Sequence, residues 1–153
     1  MATVEEISAK LTTLIQNLSP QARRTLAKNI GQKLRQRQQA RITRQQNPDG
    51  SAYEPRKQQK LRKKTGRVKR KAMFSKLRTA RFLKVRSNSN EITVGFSGDN
   101  AKIAEIHQYG LKGRVQRQRE YKVQYAQREL LGFADEDIQM IEDYVIKALG
   151  DEL

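Results

Sequence analysis

The sequence predicts an α+β protein, with a small antiparallel sheet packed against an N-terminal helical pair and a C-terminal helix. Three observations carry that prediction. Apolar residues recur at helical spacing near both ends of the chain. Short alternating runs near 81-87, 91-96 and 120-125 read as strands, the first two separated by a Ser/Asn turn. The 153 residues suit one domain, 1-153, with a modest core.

The first helix is expected over 4-17. Thr3-Val4-Glu5-Glu6 has the form of a capping box, and Val4, Ile7, Leu11, Leu14, Ile15 and Leu18 follow at helical spacing. Ser19-Pro20 opens a second helix, with Ser as N-cap and Pro at the first helical position. Ala22, Leu26, Ile30 and Leu34 recur every four residues and form a stripe suited to packing on the first helix. After Leu34 the stripe fades, and "RQRQQARITRQQ" offers only Ala40 and Ile42. A single helix over 20-46 would be about 40 Å long, with its second half expected to project from the domain.

"NPDGSAYEP" at 47-55 is a turn by composition: Pro48 presets one dihedral and Asp49-Gly50 supplies the positive-φ position. Residues 56-72 hold ten Lys or Arg and few apolar anchors. The stretch 44-72 therefore reads as a projecting or mobile basic arm. Met73, Phe74, Leu77 and Ala80 predict a short helix. Leu83 and Val85 share one face of the first strand; Ile92, Val94 and Phe96 share one face of the second. "SNSN" at 87-90 supplies the hairpin. A helix over about 101-109 ends at Gly110. On the last helix Asp135 is the expected cap, Ile138, Ile141, Val145 and Leu149 the stripe, and Gly150 the stop.

Charge placement bounds function. The net charge is +16, yet residues 21-81 hold 21 Lys or Arg against only Asp49 and Glu54. From Glu129 to Leu153 eight acids face one base, Lys147. A basic middle and an acidic tail suit nucleic acid, or a second copy of the same chain. The chain has no Cys and one His, so the usual zinc sets cannot form within it, and no cofactor is expected. No apolar run approaches the roughly 20 residues of a membrane span. "MATVEEISAK" lacks the apolar core of a secretory signal, so synthesis in a cytoplasm is expected.

His107 is the one candidate imidazole. Glu105 lies two residues away, on a different helix face, and no nucleophile motif accompanies it. The expectation is a packing or helix-end residue that hydrogen-bonds to backbone. The acids at 135-137 and 142-143 are more simply explained by the helix dipole than by a metal. Neither a P-loop nor G-x-G-x-x-G is present. The expectation is therefore not an enzyme. The basic tract lacks zinc fingers, RNP aromatics and a zipper. A free, non-specific nucleic-acid-binding protein is the alternative that the charge alone supports.

Four stretches together carry a resemblance: "NPDGSAYEP", "MFSKLR", "VGFSGDNAKIAEIHQYG" and "RELLGFADEDIQMIEDYV". Their order and spacing over about residues 20-149 resemble the phage virion morphogenesis, or tail completion, family, nearest those of contractile-tailed temperate phages. Asp49, Gly50, His107, Gly110, Arg128 and Gly132 fall on its motifs as structural positions. The family's usual Pro-Ala-Arg before Leu-Gly is here "YAQRELLG", with Arg128 kept and no proline.

The resemblance implies a non-enzymatic structural protein of the virion neck, needed for tail completion and head–tail joining. It implies a homo-oligomeric ring at the head-proximal end of the tail, with the tail terminator, tail tube or head connector as partners. Sixfold symmetry is expected ahead of twelvefold. The basic contact residues, to a neighbouring subunit or to DNA, are then Arg35, Arg37, Arg41, Arg44, Arg56, Lys57, Lys60, Arg62, Lys63, Lys64, Arg67, Lys69, Arg70 and Lys71. Their acidic counterparts are Asp135, Glu136, Asp137, Glu142 and Asp143. Surplus positive charge is expected to make weak, non-specific contact with packaged DNA.

Overall fold

The computed structural model describes residues 13, 15-56, 72-114 and 121-151. The expected helix over 4-17 and most of the basic arm lie outside them. The described elements are α1 (Pro20–Thr43), β1 (Leu83–Ser87), β2 (Ile92–Phe96), α2 (Asp99–Tyr109), β3 (Lys112–Arg114), β4 (Lys122–Gln124) and α3 (Asp135–Asp151). This is the α+β class, with two two-stranded antiparallel sheets, β1-β2 and β3-β4, where one sheet was expected. The sequence reading missed β3 because "KGR" is too short and too polar to alternate visibly.

The chain divides into two compact units, residues 1-37, 85-94 and 133-153, and residues 38-84 and 95-132. In the first, the Ser19 Oγ accepts a hydrogen bond from the Ala22 amide at 3.1 Å and caps α1. Leu26 and Ile30 of the α1 stripe are buried with Leu18 and with Val145 of α3, and Ile141, Tyr144, Ala148 and Leu149 pack around them. Each fully buried aliphatic of this kind contributes about 1.5–3 kcal/mol. Gly31 lets the β-hairpin approach: a Cβ there would lie 2.7 Å from Val85 Cγ1 and 3.2 Å from Ile92 Cγ2. In the hairpin loop the Asn88 Oδ1 accepts from the amides of Asn90 at 2.7 Å and Glu91 at 2.8 Å.

α3 starts differently from expectation. Ala134 occupies the cap position, and its amide donates to Asp137 Oδ2 at 2.9 Å. Asp137, three residues inside, supplies the back-reaching half of a capping box. Asp135 is exposed. The helix also runs through Gly150 to Asp151.

The second unit corrects the expectation that the second half of α1 projects from the domain. α1 is one helix to Thr43, but Gln38, Arg41 and Ile42 are buried, and Ile42 is fully so. Residues 44-56 are likewise part of the unit, with Tyr53 buried beside Ile42. Leu77, Ala104 and Leu130 complete this core with Met73, and Phe74, Phe82, Phe96 and Leu131 pack on it. α1 ends when Gln45 enters the left-handed region at φ 57°. The Gln45 amide then reaches the Ile42 carbonyl at 2.9 Å, and the Gln46 amide reaches that of Arg41 at 3.3 Å. The expected helix over 73-80 is a run of turns, since Phe74 itself has a φ of 66°. α2 ends on Gly110 in the left-handed conformation, with the Leu111 amide on the Ile106 carbonyl at 2.9 Å.

Candidate functional site

The four stretches that carry the family resemblance do not lie along one surface strip. In the second unit, parts of all four close around one irregular segment, residues 128-132. This segment has no regular secondary structure, so its backbone groups need side-chain partners.

Those partners are mostly amides. The Gln108 Oε1 accepts from the amides of Leu130 and Leu131, both at 2.9 Å, and its Nε2 donates to the Leu131 carbonyl at 2.8 Å. The Gln38 Oε1 accepts from the Gly132 amide at 3.1 Å and also from Arg41 Nη2. The same Nη2 donates to the Gly132 carbonyl at 3.0 Å. The Asn47 Oδ1 accepts from the Glu129 amide at 2.8 Å, and the Tyr53 hydroxyl donates to the Glu129 carbonyl at 3.0 Å. Burial pushes the Tyr53 phenol up to about 12, so it stays a donor.

Arg128 closes the circuit. Its amide donates to the His107 carbonyl at 2.7 Å, its Nε to the Glu54 carbonyl at 2.7 Å, and its Nη2 to the Pro55 carbonyl at 3.2 Å. Its side chain thus pins the end of the first motif to the fourth. Burial lowers its pKa from the usual guanidinium value, with Glu54 opposing. The turn that presents Asn47 is built as its composition implies. The Asp49 Oδ1 accepts from the Ser51 hydroxyl and from the Ser51 amide, the latter at 2.8 Å; the hydroxyl first and the amide second hold the Asp49 carboxyl below its usual range, and Gly50 takes a φ of 89°. Gly132 lies against Pro48: an added Cβ would be driven into Cγ of the proline ring and lie 3.1 Å from its Cβ. Gln45 holds the second motif, its Oε1 accepting from the Met73 amide at 2.7 Å and its Nε2 donating to the Met73 carbonyl at 2.9 Å.

His107 sits in an aromatic row. Its ring meets Phe74 and Tyr125 edge-on, each with centroids 4.9 Å apart, and Phe74 in turn meets Tyr53 at 5.8 Å. Its Nδ1 is buried without a hydrogen-bond partner, and the ring is packed between these two neighbours. Burial first, and the Arg128 and Arg56 charges second, push its pKa down to about 4. It is neutral at pH 7 and lies between the rings of Phe74 and Tyr125.

The remaining charges divide by environment. Asp137, 1% exposed, forms an ion pair with Arg37 within the first unit. Asp137 and Arg41 are thus engaged inside the chain. Arg35 is half-buried, Arg44 and Arg56 are exposed, and the Arg44 Nε donates to Gln46 Oε1 at 3.3 Å. Asp135, Glu136 and Asp143 are exposed and Glu142 is half-buried. Lys57, Lys60, Arg62, Lys63, Lys64, Arg67, Lys69, Arg70 and Lys71 lie outside the described residues.

Sequence reasoning passed over Gln38, Gln45 and Gln108. Gln38 had a signal, since it continues the four-residue period of Ala22, Leu26, Ile30 and Leu34 on to Ile42. A polar residue in register with a buried stripe is a candidate backbone clamp. Among the described residues no group of three or more His, Cys, Asp or Glu could hold a metal ion. No helix among them is long and apolar enough to cross a membrane. An open groove in the first unit, lined by Ala22, Leu26, Tyr144 and Ala148, includes Ser19, whose hydroxyl already caps α1.

The model of the phage virion morphogenesis family matches residues 2-150. The chain is 48% identical over 141 residues to "Tail completion protein S" of Escherichia phage P2, covering 92% of this chain and 93% of that one. No solved structure matches.

Proposed function

Because the chain belongs to the phage virion morphogenesis family, we propose that it is a structural, non-catalytic virion protein that completes the phage tail. The observation that carries this reading is the near full-length similarity to a protein named for tail completion. The interior supports it: buried polar groups of the second unit, Arg128 and Gln38 among them, are engaged in holding backbone. Such a construction gives a rigid shape, which an assembly factor requires.

In this reading the protein acts at the head-proximal end of the tail and joins it to the head. Copies form a closed ring, sixfold to match a tail tube, through head-to-tail contacts. The exposed acids at the start of α3, Asp135 and Glu136, meet basic residues of the neighbour, Arg44 and Arg56 among them. Opposed charge sets register and speeds docking more than it adds affinity. The tail terminator, tail tube or head connector is the further partner. The free nucleic-acid binder is the weaker reading, since charge alone supports it.

Gold-labelled antibody against the chain tests the placement on purified particles. The label is expected at the head–tail junction. Label confined to fibres, baseplate or capsid shell would overturn the reading. Sedimentation of the purified protein tests the ring. A discrete species of about six chains is expected, dissolved by the Asp135→Lys/Glu136→Lys pair, which leaves the structural Asp137 in place. Rings unchanged in that variant would remove these acids from the interface.

A further inference from the structure

We propose that the outer face of the β3–β4 hairpin is a docking site for the sugar-phosphate backbone of duplex DNA, engaged by Lys112, Arg114 and Lys122. This deepens the reading above by naming one partner. It is tested on the purified chain, so its failure leaves the virion placement standing.

The two strands pair with Lys112 opposite Gln124, Gly113 opposite Val123 and Arg114 opposite Lys122. Alternation sends the middle pair to one face and the two outer pairs to the other. The inner face is packed: Gly113 is buried, and a Cβ there would lie 2.8 Å from Ile106 Cδ1 and 3.3 Å from Tyr125 Cε2. The outer face holds Lys112, Arg114, Lys122 and Gln124, all exposed. Among the described residues none of its three cations is paired with a carboxylate.

Arg114 directly opposite Lys122 works against the fold. Like charges in a cross-strand pair destabilise a hairpin, and three-residue strands have little to offset the repulsion. A residue choice that opposes its own local structure points to a function that an anion fulfils.

The class of anion follows from the face itself. The four outer residues are all charged or polar, with the exposed Leu111 and Tyr121 only at the strand ends, whereas protein interfaces are built around an apolar centre. Lys112 and Arg114 stand two residues apart along one strand, about 7 Å, which suits a polymer whose charges repeat. The chain's net charge of +16 steers such a polyanion toward it. Contacts of this type carry no sequence information and release readily with salt.

The test is the salt dependence of binding to a mixed-sequence duplex, read by fluorescence anisotropy. The parent is compared with Lys112→Gln/Arg114→Gln/Lys122→Gln, and with a control that removes equal charge from exposed positions on α1, Arg24→Gln/Lys28→Gln/Lys33→Gln. Three lost phosphate contacts should flatten the slope of log Kd against log salt by about 2.7 in the hairpin variant. The control slope should change by less than about 1. Equal changes in both variants, or none in the hairpin variant, would overturn the proposal. So would a hairpin variant that loses binding to an acidic polypeptide while keeping the parental duplex slope. Relief of the Arg114–Lys122 repulsion predicts that the hairpin variant melts no lower than the parent. If it nevertheless unfolds, Lys112→Gln alone should flatten the slope by about 0.9, and an unchanged slope there would equally overturn the proposal.

Discussion

Pro48 and Gly132, 84 positions apart in sequence, are packed so closely that the proline ring occupies the space where a side chain at 132 would begin. The turn at 47-50 and the segment 128-132 are therefore fitted to each other at the level of single atoms. Gly132→Ala should cost about 1–3 kcal/mol through overpacking. Gly150→Ala, with nothing within 4 Å of the added Cβ, should be neutral or stabilising by up to about 1 kcal/mol. Urea denaturation of both variants checks this. Equal stabilities would mean that Pro48 yields freely.

Arg128 holds the carbonyls of Glu54 and Pro55 with two different nitrogens of one planar group. Lysine offers a single compact charge and cannot reproduce that fork. Arg128→Lys should therefore lose about 1.5–3 kcal/mol. It should also speed amide hydrogen exchange over residues 51-54 more than over α3. Uniform exchange across the chain in that variant would contradict the local clamp.

Asp137 combines an N-terminal helix contact with a buried ion pair to Arg37. Asp137→Ala should cost about 2–4 kcal/mol, since Arg37 is about one-third exposed and water softens part of the loss. Asp135→Ala, on an exposed side chain, should stay within about 0.5 kcal/mol. Thermal melting separates the two. A similar small loss at both sites would show that the pair contributes little.

The folded pKa of His107, about 4, is below its unfolded value of 6.5. Between those values the unfolded chain binds the extra proton, so this contribution is complete above pH 6.5 and is lost as the pH falls toward 4. After allowance for partial exposure the loss is about 1–2 kcal/mol. His107→Phe keeps an aromatic ring between Phe74 and Tyr125 and removes the titration. Its stability should fall less than the parent's between pH 7 and pH 4.5. Parallel curves would show that His107 does not report this environment.

Much of the secondary structure was legible because it rests on local chemistry. Ser19-Pro20, the Asn88 turn, Asp49-Gly50 and Gly110 each act within a few residues of themselves. The second half of α1 was misread because its partners are distant in sequence. "RQRQQARIT" looks solvated until Gln38 and Arg41 are seen holding Gly132, 94 and 91 positions away. The cap of α3 was misplaced for a similar reason: Asp135 and Asp137 are alike in sequence, and only Asp137 is buried against Arg37. The positive φ of Phe74, which breaks the expected helix at 73-80, has no composition signal at all. Of the positions assigned from the family motifs, Arg128, Gly132 and Asp49 fall in the irregular region that periodicity leaves unexplained.

The most direct measurement of the central claim is electron microscopy of lysates from the parent phage with this gene removed. The account predicts filled heads and separate tails that do not join, with infectious particles restored when the protein is supplied from a plasmid. Normal joined particles at the parental titre, in the absence of the gene, would contradict it.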